Sequence, residues 1–270
     1  MARPPVEWPI PIYTLELRER TVGIFRVPAS RLARQVPPPI SLETFAGTGL
    51  VAVCVGSARC LKPVGGAAQL ASEFHLVEVV TPVRWQGACR PLLRGLFALD
   101  LLTDCSGVRR LLECGLQVPA RRARAEQELS RQRVSVRVGT SSGAGFGLAG
   151  PDPLREGTWP EGSCLSGLEE AELRLLRPDS YFFPDSHQPL VRAVPVHQYS
   201  RLTVARGDFE MAAPLLAELL RCPESEIVPD LALVQKRCTY TIAFPPERIP
   251  TAPAVAPRRA LVPEPLRLAA

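Results

Sequence analysis

The chain has 270 residues, 46% of them hydrophobic and 22% charged, with a net charge of +5 and a pI near 8.9. That is enough apolar material for one large domain with its own core. Lys62 and Lys236 are the only lysines, so the positive charge is almost all arginine, interleaved with glutamate rather than clustered with aromatics. This pattern argues against a nucleic-acid surface, and no apolar run reaches the ~18 residues of a membrane span.

The N-terminal MARPPVEWPIPIY has prolines in every apolar stretch, so no secretory leader is read there and a cytoplasmic location is expected. Thr14 to Phe25 alternates as a strand and ends at Val27-Pro28. Ser30 to Val36 reads as a short helix, stopped by Pro37-Pro38-Pro39. Gly49 to Gly56 (GLVAVCVG) is a buried strand by its unbroken apolar run, followed by strands over Glu73 to Val83 and Leu93 to Leu102. Ser106 to Cys114 forms a helix with Val108, Leu111 and Leu112 on one side and Gly115 as its stop. Glu128 to Val138 alternates as one half-exposed strand.

From Gly139 to Gly162 the composition shifts to Gly, Ser and Pro, which predicts a loop. Its GAGFGLAG has the look of a nucleotide loop. Pro151 and Pro153 stand where the required helix should begin, so a mobile crossover is the reading. A helix follows over Leu168 to Leu176, then a strand over Leu190 to Ala205. Asp208 is read as the cap of a helix carrying Phe209, Ala212, Ala213, Leu215, Leu216, Leu219 and Leu220, and Leu231 to Phe244 as the last strand. These elements predict an α+β, mostly β protein: one barrel-like domain over 1–245, with a Gly/Ser/Pro-rich loop at 139–167 and a Pro-rich tail at 246–270. A tail of that kind can lie along a partner subunit, which leaves a homo-oligomer open.

Chemistry-bearing residues are sparse. The eight cysteines (Cys54, Cys60, Cys89, Cys105, Cys114, Cys164, Cys222 and Cys238) form no CxxC pair, and His75, His187 and His197 stand by none. Reduced thiols, no metal site and no cofactor are therefore expected.

Several stretches resemble the acetoacetate decarboxylase family. FRVPASRLARQVPPPI (Phe25 to Ile40) is similar to a helix entry and exit in that family, and Arg18-Glu19 falls where it carries an Arg-Glu pair. GLQVPARR resembles the family's turn ending in Pro-Lys-Lys, and APLLAELLRCPESEIV (Ala213 to Val228) its C-terminal helix and turn. Leu168 to Val204 looks closer to an uncharacterised branch of the same superfamily. The resemblance implies an acetoacetate decarboxylase-like barrel with a few short helices.

It also implies a reaction that this chain departs from. In the family, one lysine of the turn attacks a keto acid as a free amine, and its neighbour lowers its pKa. Here the pair falls on Ala120 and Arg121, after Pro119. Alanine makes no Schiff base, and arginine stays protonated. The resemblance gives Arg18 to a substrate carboxylate and Glu78 to the pocket, with Glu73 a competitor for that role; a further family glutamate falls near Cys54. Glu78 within LVEVV stands out without the resemblance, because a carboxylate in an apolar run is costly to bury unless paired, with Arg18 or Arg121 as the candidates.

The ligand-binding residues expected are therefore Arg18, Glu78, Pro119 and Arg121, with Glu78 the candidate catalytic group. Two function classes follow. One is non-covalent binding of a small carbonyl or carboxylate compound. The other is a lyase, isomerase or hydratase on a keto or enol acid, with Glu78 as base and arginine as oxyanion stabiliser. A scaffold acting through its Pro-rich tail is a third.

Overall fold

The computed structural model describes residues 10–63, 71–85, 92–115, 118–130, 133–151, 159–176, 178–184, 191–199, 202–203, 209–244 and 247–248. Fifteen strands among them join into one sheet. Its axis is β1 (Ile10–Pro28), antiparallel to β14 (Val228–Phe244) on one side and to β4 (Thr48–Pro63) on the other. β4 pairs with β5 (Ala71–Trp85), and β5 with β6 (Leu93–Thr103). β6 runs parallel to β10 (Ser180–Pro184), which pairs with β11 (Val191–Tyr199), and β11 returns to β14. These seven strands complete a circuit. The sheet as a whole stays open, its ends being β2 (Ile40–Leu42) on β5 and β13 (Glu210–Ala212) on β9 (Gly145–Pro151). Short β3 (Thr44–Phe45), β12 (Leu202–Thr203) and β15 (Glu247–Arg248) pair with β4, β14 and β11.

The strands expected from Thr14, Gly49, Glu73, Leu93 and Leu231 are β1, β4, β5, β6 and β14, each longer than its apolar run. In β4, Val51, Val53 and Val55 face one core, and Leu50, Ala52 and Cys54 the other; all are buried. A strand covered on both faces reads as continuous apolar sequence. α1 (Ala29–Ala33) follows Pro28, whose fixed φ suits the approach to a helix. α2 (Ser106–Arg110) runs on into a wider turn, Leu111–Gly115, and α3 (Leu168–Ala171) into another, Glu172–Leu176.

Three expectations change. The strand read over 128–138 is a hairpin, β7 (Arg121–Leu129) and β8 (Arg133–Thr140). Its turn has neither Gly nor Pro; the Ser130 hydroxyl donates to the Arg133 carbonyl at 3.2 Å and accepts the Arg133 N–H at 3.1 Å. The crossover read from Gly139 onward is largely strand too. β9 pairs with β8 along its length, and GAGFGLAG is sheet rather than a phosphate loop. Among the described part, the turn at 141–144 and the segment 159–167 are irregular, the latter tied down by Trp159 Nε1 on the Leu165 carbonyl and by Ser163 and the Cys164 N–H on Asp230. The helix read from Asp208 begins later, as α4 (Pro214–Leu220), because Glu210–Ala212 is captured by β9 as a strand; Asp208 itself lies outside the described residues. Most of the 246–270 tail, and so the scaffold reading, lies outside them as well.

Two apolar layers result. β7, β8, β9 and α4 cover the face of Val51, Val53, Val55, Val77 and Val79. The opposite face, with Val22, Ile24, Leu50, Ala52, Cys54 and Val80, is covered by Leu165, by Ala171 of α3 and by Leu175 and Leu176 of the turn after it. That second face carries the site.

Candidate functional site

Opposed residues on neighbouring strands share a face. On this face Arg20 of β1 stands opposite Gln235 of β14 and Gly56 of β4. Two residues on, Val22 stands opposite Cys54, Cys54 opposite Glu78 of β5, and Glu78 opposite Leu101 of β6. The register thus brings a guanidinium and a carboxylate into an apolar layer. Arg20 Nη2 donates to Glu78 Oε2 at 3.0 Å, with the Arg20 side chain 1% exposed and that of Glu78 17%. Gln235, next to Arg20, is also buried.

Tyr181 completes the group from β10. It is set by its pairing with Leu96 and by stacking on Phe183, ring centroids 6.0 Å apart. It is 3% exposed. Its hydroxyl lies within electrostatic reach of Glu78, Arg20 and Cys54, with the Arg20 guanidinium near enough to donate to its oxygen, but its own O–H meets no acceptor among the described residues. Burial raises both acids. It lifts the Glu78 carboxyl above the usual carboxylate range, against the pull of Arg20. It lifts the Tyr181 phenol likewise, helped by the negative charge of Glu78. The group therefore holds one fixed cation, one carboxyl poised as a base and one neutral hydroxyl donor. That is enough for binding and polarising a small oxyanion, or for proton transfer.

Glu78 is the one predicted site residue at this cluster. Its partner is neither Arg18 nor Arg121 but Arg20. β1 slips register against β4 between Leu17 and Glu19, and Arg18 has no opposite number there. Arg18 lies exposed, its Nη2 3.1 Å from Oε1 of the equally exposed Glu73. Arg121 begins β7 opposite Leu102, which belongs to the other core, so its side chain leaves on the far face. There it donates to Asp100 through Nε at 3.0 Å and through Nη2, and its Nη1 stands 3.6 Å from Glu218. Pro119 is exposed between buried Val118 and Ala120.

Ala120 packs with Ala98, Leu101, Val118 and half-buried Phe183. Leu101 is opposite Glu78 and Phe183 stacks on Tyr181, so the methyl belongs to the wall adjoining the cluster. Lys62 is elsewhere: its Nζ donates to Glu16 at 2.7 Å, a bond that holds the ammonium above its usual range. Lys236 stands opposite Glu19 in the register, and its side chain lies outside the described residues, as does that of His197. Among the described residues no three metal-ligating side chains gather, and no helix is long and apolar enough to cross a membrane.

The sequence reading missed Arg20, Gln235 and Tyr181. One signal was available for Arg20: it is the last charge of LRER before the uncharged TVGIF, where the strand enters the core.

The β1-centred sheet has an acetoacetate decarboxylase-like fold. The acetoacetate decarboxylase of Legionella pneumophila superposes with a TM-score of 0.60 at 12% identity, over 93% of this chain and 92% of that one. An acetoacetate decarboxylase-like enzyme of Sphingomonas wittichii gives 0.60 at 15% identity, over 89% and 94%. The enduracididine biosynthesis enzyme MppR, in complex with pyruvate, gives 0.56 at 9% identity, over 91% and 93%. No family model matches the sequence, and none of the curated proteins does. At these identities the likeness is one of fold.

Proposed function

We propose that this protein binds a small carbonyl- or carboxylate-bearing compound at the Arg20–Glu78 pair and does not capture it as a Schiff base. The observation that carries this reading is an ion pair between buried Arg20 and part-buried Glu78 on an apolar face, with Ala120 in the adjoining wall. Such a pair adds little to stability over an apolar replacement, so retaining one suggests use. Arg20 offers a ligand carboxylate a fixed cation that burial makes stronger than one in water. The pyruvate and pyruvate condensation product held by the enduracididine enzyme are compounds of the class meant. The reading needs no cofactor, since binding and proton transfer use only side chains.

Incubation with pyruvate or acetoacetate and then borohydride should leave the intact mass unchanged, while ligand-observed NMR shows both compounds bound. A reduced adduct on Lys62 or Lys236 would overturn the reading. The raised Glu78 carboxyl favours a second reading, an acid–base lyase, isomerase or hydratase on a keto or enol acid.

A further inference from the structure

We propose that Tyr181 is the hydrogen-bond donor to an enolate formed in this site, and that Glu78 is the base that forms it. This rests on the reading above, which supplies the bound keto acid.

The hydroxyl itself is the observation. A buried donor without an acceptor is costly and uncommon, and the buried Tyr181 hydroxyl has none among the described residues: the nearby Arg20 guanidinium can donate to its oxygen but cannot accept its proton. The side chain is also held firmly. Its strand pairs with β6, and Gly95 lets the two backbones meet so closely that an added Cβ would lie 2.2 Å from the Ser180 carbonyl oxygen. On its flank the ring stacks on Phe183, 12° from parallel. A donor on a rigid strand, unspent among the described residues and beside a carboxylate–guanidinium pair, is preorganised for charge that develops on a ligand.

The step is balanced without an outside reagent. The Glu78 carboxylate takes a proton from the carbon next to the ligand carbonyl. The C–H electrons become the C=C bond, and the carbonyl π electrons move to oxygen. Tyr181 keeps its proton and donates a hydrogen bond to that oxygen. Burial suits it to this, because a phenol lifted above its usual range stays neutral. Arg20 holds the carboxylate of the keto acid and steadies Glu78 in its ionised form. Return of a proton from Glu78 regenerates the ketone, and in heavy water the returning proton is a deuteron.

The probes are pyruvate and 2-oxobutyrate in D2O, followed by loss of the proton NMR signal from the carbon beside the ketone. The native protein should accelerate that loss. Glu78→Gln should abolish the acceleration. Tyr181→Phe should lower the exchange rate at saturation about 100-fold, the scale of losing one oxyanion donor, with little change in half-saturation. Because the phenylalanine removes a buried O–H that has no acceptor among the described residues, its melting temperature should not fall; a packing role would give the reverse pattern. Saturation-transfer binding of either probe without exchange above buffer, or wild-type exchange in Tyr181→Phe, overturns the inference and leaves the binding reading standing. Failure of both probes to bind removes both.

Discussion

Arg20 and Glu78 are 58 positions apart in the chain and one hydrogen bond apart in the fold. Removing the guanidinium alone strands a buried carboxylate. Arg20→Met should therefore cost roughly 3–5 kcal/mol of stability, the range for breaking a buried pair, and weaken binding of pyruvate at least about tenfold, read by calorimetry on the fraction that still folds. The pH dependence has a definite sign. Burial lifts the folded-state Glu78 carboxyl above its model value of 4.5, so the folded protein holds that proton to higher pH than the unfolded chain. The stability this contributes is complete below about pH 4.5 and is lost as pH rises through the folded pKa. Native protein minus Glu78→Gln, measured by denaturant titration, should therefore show a stability difference that falls over this window and then levels; one that grows with pH contradicts it. Glu78 was legible because a lone carboxylate in LVEVV has few explanations. Arg20 was not, since Glu16, Arg18, Glu19 and Arg20 present the same charges at the same spacing until the slip at Leu17–Glu19 separates them. Tyr181 was illegible for another reason: its polar neighbours come from β1, β4 and β5, and nothing local to SYFFP announces them.

Elements position the site through two devices that substitutions can test. Gly95 is the contact point of β6 and β10. Gly95→Ala must push the Ser180 backbone away, carrying Tyr181 with it; overpacking of this kind costs about 1–3 kcal/mol, and chemical denaturation should show it together with a changed near-ultraviolet tyrosine signal. Glu43 is the second. Its side chain is 3% exposed, and it accepts Arg84 from β5, through Nε at 3.0 Å and Nη2 at 2.7 Å, and Arg174 from the turn after α3. Glu43→Gln leaves two guanidinium groups sharing one neutral oxygen, and should loosen α3 enough for protease cleavage between 168 and 176 to precede global unfolding. The sequence showed the strands that feed the site because β1, β4, β5 and β6 are apolar on at least one whole face. It hid the β7–β8 hairpin, whose turn is built by a serine hydroxyl instead of glycine or proline. It hid β9 too, because glycine-rich composition reads as loop while Gly145 and Gly150 are places where a Cβ would meet the Val138 carbonyl and the Phe209 ring.

At the scale of the molecule, the strand that carries Arg20 is completed by the far end of the chain. β1 pairs with β14 from Ile10 opposite Phe244 to Arg26 opposite Val228, and with β4 along the other edge. The seven-strand circuit cannot form until β14 arrives, since among the described strands β14 alone links β1 to β11. Such pairing demands early loop closure over most of the sequence, which is slow. Refolding from denaturant should therefore take milliseconds to seconds or longer, and should depend on the C-terminal strand. A chain ended after Glu226 keeps β4, β5 and β6 but leaves β1 and β11 with open edges and exposes Leu233 and Val234 partners in both apolar layers. It should show no cooperative thermal transition. Adding a peptide of residues 227–244 in trans should restore one, along with the Arg20–Gln235 register that frames the site. A truncated chain that melts cooperatively without the peptide would show that the β1–β4–β5–β6 half folds by itself, and that the circuit is not what holds the site together.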